Sequence, residues 1–149
     1  MKTTRELKDM IINMTQHKAT PAQAGAGVVE PETIGLNKSA VQAALTIEDL
    51  PTAADLKARA EALVSMAVGA ATAQAGGDPS PEPSDGANVR PALMIGGAPY
   101  LMPYIERAAE RWGCVVVYAF SRRESVDKIV DGKTVKTAVF QHLGFVEVA

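Results

Sequence analysis

Residues 91–120 read PALMIGGAPYLMPYIERAAERWGCVVVYAF, and this stretch restricts the chain to a small set of folds. Ala92-Leu93-Met94-Ile95 is a short apolar run closed by Gly96-Gly97, and residues 114–120 form a second run rich in β-branched side chains. Both runs are continuous rather than alternating, which suits strands covered on both faces of a parallel sheet. Between them Leu101, Met102, Ile105, Ala108, Ala109 and Trp112 recur at helical spacing, with Glu106, Arg107, Glu110 and Arg111 on the other side. That is an amphipathic helix. Gly113 stands where a left-handed C-cap residue is wanted. Pro103 is tolerable only in the first turn. The sum is one βαβ unit with a right-handed crossover.

A length of 149 residues predicts a single domain with room for a proper core. Hydrophobic content of 47% and charged content of 21% are those of an ordinary soluble globule. A net charge of −2 gives no electrostatic case for duplex nucleic acid. The single Cys114 excludes an intrachain disulfide and a cysteine zinc site, and its strand position predicts a buried small apolar residue. No segment is apolar over enough length to span a bilayer. The opening MKTTRELKDM lacks a signal-peptide core, so the expected location is the cytoplasm.

Along the chain, residues 2–8 are polar and read as a short helix or arm. Residues 10–14 (MIINM) read as the first strand, ending in Thr15-Gln16-His17. Thr20-Pro21-Ala22-Gln23 has the pattern of a capping box with proline at the first helical position, opening a short helix. Residues 28–37 read as irregular, and residues 39–45 as a helical turn or two. Thr52 caps the longest helix, whose apolar stripe is Leu56, Ala60, Leu63, Val64, Ala67, Val68 and Ala71. That stripe is expected to pack on the sheet, and its length also allows a homodimer contact. The loop at 76–88 is dense in Pro, Gly, Ser and acid and reads as an inserted linker. After residue 120 the sequence predicts a loop at 121–125, then a hairpin of 126–130 and 134–140 around Asp131-Gly132, then a further short strand near the end. The fold expected is a Rossmann-like three-layer α/β domain, mostly parallel, with an antiparallel hairpin at one edge.

In such sheets ligands bind beyond the carboxyl ends of the strands. Three expected strands end in Thr15-Gln16-His17, Gly96-Gly97 and Ser121-Arg122-Arg123, which places these groups on one rim. The set suits a phosphate-bearing ligand. Gly96-Gly97 offers backbone amides at a helix N-terminus, or else simply makes a tight turn. Arg122 or Arg123 offers charge-assisted forks to phosphate oxygens, or else pairs with Glu124 or lies in water. Asn13, Gln16 and Ser121 suit base or ribose edges, and Tyr100 suits stacking on a base. His17 and His142 are candidates for an acid–base pair, since imidazole titrates near neutrality; each also suits a structural role at a turn. The two-histidine phosphoesterase pattern wants a hydroxyl residue two places after each histidine, and Ala19 and Gly144 stand there. The chain has no Walker loop, no full GxGxxG, no Gly-x-Ser-x-Gly elbow and no carboxylate cluster with metal spacing. No cofactor or metal is expected.

MIINMTQHKATPAQ, MIGGAPYLMPYI, YAFSRRES and FQHLGFVEV resemble an uncharacterised bacterial and prophage family. The opening strand followed by Thr-Gln-His, and the Rossmann-like layout, are also loosely similar to small CRISPR-associated proteins of the Csx type. The second resemblance implies a nucleotide-signal ligand. The leading expectation is therefore binding of a nucleotide or nucleotide-derived signal at the rim, in phage–host defence. It competes with a metal-independent phosphodiesterase using His17 or His142, and with a homodimeric interaction protein that takes no small ligand.

Overall fold

The structure is a computed structural model and describes residues 10–76 and 90–148. The polar opening and all but the first residue of the expected linker lie outside those residues. In chain order the elements are β1 (Ile11–Met14), α1 (Pro21–Gly25), β2 (Val28–Val29), a 3-10 turn (Pro31–Ile34), α2 (Lys38–Leu45), α3 (Ala53–Gln74), β3 (Ala92–Ile95), α4 (Met102–Trp112), β4 (Val115–Val130) and β5 (Lys133–Val148). They make one five-stranded sheet in the order β2-β1-β3-β4-β5. β1 runs parallel to both β2 and β3, β3 parallel to β4, and β5 antiparallel to β4. The α/β class, the mostly parallel sheet and the antiparallel hairpin at its edge are as the sequence implies.

Alternation along the strands divides the apolar side chains between two faces. Ile12, Met14, Leu93, Ile95 and Val116 join Leu63, Val64, Ala67, Ile105 and Trp112 of the long helices in one core. Val28, Met94 and Val117 form a smaller cluster on the other side, edged by Ile11, Ala19 and Phe145. The segment bearing α1 borders that second face, through Ala19 and Ala26, but α1 buries no residue. Among the described residues the long helices therefore pack on one face.

Local signals account for most element ends. Thr20 and Gln23 exchange side-chain and backbone hydrogen bonds in a complete capping box, and Pro21 holds the first helical position. The Thr52 hydroxyl accepts from the Asp55 amide. Gly113 takes the left-handed conformation, φ 72°, at the end of α4. The two long helices are stitched by Glu61, which accepts from the Trp112 indole at 3.5 Å and pairs with Arg111.

Arg59 closes the end of α2 from α3. Its guanidinium donates to the carbonyls of Ala43, Ala44 and Thr46 at 3.1, 3.1 and 2.9 Å, and to the Asp55 carboxylate at 3.1 Å. A cation on the last carbonyls of a helix satisfies orphan acceptors and opposes the dipole. Arg59→Ala should lower stability by about 2 kcal/mol, read as a shift in urea midpoint at unchanged m-value. Arg59→Lys should recover less than half, because an ammonium cannot span three carbonyls and a carboxylate at once.

Two expectations are corrected. Val28-Val29, placed in an irregular stretch, is an edge strand paired with Ile11-Ile12. Two residues are too short to carry any periodicity. More consequentially, β4 does not end at Phe120. It runs unbroken to Val130 and pairs with β5 from Val116↔Val148 to Val130↔Lys133, with a bulge at Phe120/Ser121. The loop expected at 121–125 and the separate last strand are parts of this one ribbon. The Asp131-Gly132 turn is as expected, with φ of 52° and 75°. Those positive angles at both central residues are what a tight hairpin turn requires. β3 borders β4 only as far as Val117, so the ribbon continues past the sheet as a free-standing arm. From residue 120 to 130 it reaches about 34 Å at the usual strand rise.

Candidate functional site

β1 sits between β2 and β3, so the chain leaves it first to one neighbour and later to the other. The gap beyond the carboxyl ends at such a reversal is where open α/β sheets hold ligands. A cleft of about 410 Å³ lies there, walled by Thr15, Gln16, His17 and Lys18 after β1 and by Gly96 and Gly97 after β3. Thr20 and Gln23 of the α1 cap close one side, and Tyr118 and Ala119 of β4 the other. The volume falls within the usual range for small-molecule sites.

The loop after β1 is held from below. Asn13 is 1% exposed. Its amide nitrogen donates to the His17 carbonyl at 2.7 Å and to both oxygens of the Glu30 carboxylate at 3.2 Å. Its carbonyl oxygen accepts from the Thr15 amide at 3.1 Å and the Thr15 hydroxyl at 2.6 Å. Glu30 also accepts from the Ala19 amide at 2.7 Å. Both ends of the 15–19 turn are thus pinned to one buried amide and one carboxylate. Gln16 adds an outer tie, donating to the Thr46 hydroxyl at 3.0 Å.

Across the cleft, Gly97 has φ 141°, a conformation almost confined to glycine. A Cβ there would meet only the Met102 methyl at 3.7 Å, an ordinary contact. The cost of any side chain is therefore backbone strain. Gly97→Ala should lose on the order of 1–3 kcal/mol in urea unfolding and distort the diglycine wall. The helix that follows is a weaker anion site than the sequence implies. Pro103 has no amide to offer, and the Tyr104 and Ile105 amides both donate to the Leu101 carbonyl. The Gly97 and Ala98 amides are not spent on backbone hydrogen bonds among the described residues.

Tyr118 joins the cleft to α4. Its phenol is pushed up to about 12 by burial, the Glu106 charge and a hydrogen bond to Glu106, so it stays protonated through the physiological range. Cys114 is buried beneath the sheet's helical face; burial lifts its thiol to about 11 against the opposing Arg90 charge, which makes it unreactive. Among the described residues no three His, Cys, Asp or Glu side chains form a group able to hold a metal.

Of the residues singled out from sequence, Thr15, Gln16, His17, Gly96 and Gly97 come together in the cleft wall. Asn13 lies beneath it and is committed to the turn. Tyr100 is half exposed and faces a different groove, beside Ile47 and Leu56. Ser121, Arg122 and Arg123 stand on the arm, within β4 rather than at its end. His142 lies on β5 opposite Ser121, its ring 4.9 Å from that of Phe145, and does not line the cleft. Lys18 supplies a cation that the sequence reading overlooked, and Glu30 an anchor it overlooked. Lys18 follows directly on Thr15-Gln16-His17, so the rim could have been extended by one residue. Glu30 had no local signal, since its partners are eleven and seventeen residues away.

Residues 9–146 match the family described as uncharacterized protein MJ1673. The chain belongs to that family. No curated protein and no solved structure matches it. The span shared with the MJ1673 family takes in both walls of the cleft and the whole arm as far as Val146.

Proposed function

We propose that this MJ1673-family chain binds a nucleotide or similarly phosphorylated small molecule in the cleft between Thr15–Lys18 and Gly96–Gly97. The observation that carries the reading is the pairing of Lys18 with the diglycine turn at the sheet's reversal point, in a cleft whose lining includes no carboxylate among the described residues. A phosphate beside Lys18 would gain a charge-assisted bond and the Gly97 and Ala98 amides. Thr15, Thr20, Gln16 and Gln23 offer hydroxyl and amide groups for a sugar or base edge. The β2-β1-β3-β4 order with α4 as crossover supports reading the sheet as a reduced Rossmann-like fold, and the loose Csx-type likeness favours a nucleotide-derived signal. Its setting would be a cytoplasmic phage–host defence system, in bacterial or prophage genomes. Hydrolysis is the second reading. It draws on one imidazole, His17, because His142 does not line the cleft.

A thermal-shift panel of mononucleotides, cyclic oligonucleotides and NAD-derived nucleotides tests this. A true ligand at a hundredfold excess over its Kd stabilises by about 2.7 kcal/mol. Silence across every phosphate-bearing compound would overturn the reading. EDTA-resistant turnover abolished by His17→Ala would replace the binding module with an enzyme.

A further inference from the structure

The β4–β5 arm is built in a way that a lone chain does not account for. An isolated two-stranded ribbon is marginal in water at best. This one keeps its ladder from residue 118 to the tip with β3 no longer beside it. Its pairings put Phe120, Val126, Val130, Val135 and Val139 on one face, and Ile129 and Phe140 on the other. Ile129 is 77% exposed and Phe140 73%. Such a concentration of large apolar side chains marks an interaction surface. We infer that the arm grips a second copy of this chain.

Charge selects the copy as partner. Between residues 120 and 144 five basic side chains stand against three acidic ones, while the whole chain is net −2. The rest of the molecule is therefore acidic, and a cationic, apolar arm complements the body of its own kind. The body also carries a fitting receptor. A groove of about 430 Å³ is lined by Ile47, Glu48, Asp49, Leu50, Pro51 and Tyr100, and Leu50 is 97% exposed. Aliphatic walls with two carboxylates match Ile129 and Phe140, which share their face of the ribbon with Lys136 and Arg123. Size points the same way. One face of the ribbon, about 34 by 10 Å, falls short of the roughly 800 Å² per partner of a stable interface. Reciprocal exchange, each arm seated on the other body, doubles the contact and closes with two-fold symmetry. This inference is independent of what occupies the cleft.

The test is mass in solution. Light scattering of the full chain at tens of micromolar should give twice the 15.7 kDa chain mass. Ile129→Glu with Phe140→Glu should weaken dimerisation by at least roughly 100-fold, as expected for central apolar anchors. Circular dichroism should show that variant still folded, since both side chains face water in the single chain. Glu48→Lys with Asp49→Lys should weaken the dimer independently. Zero-length carbodiimide coupling should join Lys128, Lys133 or Lys136 of one chain to Glu48 or Asp49 of another. A monomeric wild type, or a dimer indifferent to the arm variant, overturns the inference. So does a monomer whose arm binds RNA or DNA instead. A dimer lost with the arm variant but kept in the groove variant, or a wild-type dimer that gives none of these cross-links, overturns the groove as receptor.

Discussion

Asn13→Leu should destabilise the protein by about 3–4 kcal/mol and abolish ligand-induced stabilisation together. The substitution keeps the volume and removes every hydrogen bond the side chain makes. The Thr15 amide and hydroxyl, the His17 carbonyl and the Glu30 carboxylate each lose a partner. Buried groups left in this state cost about 1–3 kcal/mol apiece before relaxation, and the carboxylate more. Water can reach the His17 end of the turn, so the sum is not fully realised. Glu30→Gln removes the charge but keeps an acceptor for the Ala19 amide, and should cost roughly half as much. Urea unfolding measures the first effect, and the nucleotide thermal shift the second. A variant that unfolds as readily as wild type, with its ligand response intact, would show that the turn is held by something other than Asn13.

The second large effect concerns affinity alone. Lys18→Glu should weaken binding of a phosphate-bearing ligand by roughly 100-fold, with stability within about 0.5 kcal/mol of wild type. Lys18 is exposed, and no ion pair to it is present among the described residues, so folding does not depend on it. The substitution deletes one charge-assisted bond and sets a carboxylate against the phosphate. Added salt should reduce the difference, since an exposed pair is screened within about 10 Å at 0.1 M. Arg122→Ala, on the arm, should leave affinity for the same ligand unchanged. Equal losses from Arg122→Ala and Lys18→Glu would bring the arm into the site.

These contrasts follow the division between what a linear pattern encodes and what folding assembles. The βαβ unit was legible because its signals are local: two apolar runs, a stripe at helical spacing, and Gly113 as cap. The Thr20 and Thr52 caps were legible for the same reason. So was the cleft in part, since a strand's end and a diglycine turn are readable one segment at a time. The arm was not. Ser121-Arg122-Arg123-Glu124-Ser125 has the composition of a loop, and only the cross-strand ladder from Arg122↔Gln141 onward makes it a strand. With both faces wet, polar residues fall on every position and the alternation that announces a strand is blurred. The sequence therefore points to Arg122 and Arg123, which stand on the arm, while Lys18, one residue past Thr15-Gln16-His17, stands in the cleft wall. Asn13 was assigned to the ligand for a related reason: a polar residue inside an apolar strand looks like a reader of ligands until Glu30 arrives beneath it.

The bulge at Phe120/Ser121 marks a seam in the molecule. On the sheet side of it β4 is paired with β3 as far as Val117; beyond it β4 and β5 have only each other as strand partners. Amide deuterium uptake in a lone chain should divide there into two kinetic classes. Sites past the seam would exchange through fluctuations that leave the helices untouched, and sites before it only through global opening. Raising protein concentration should slow the first class selectively if a second copy shelters it.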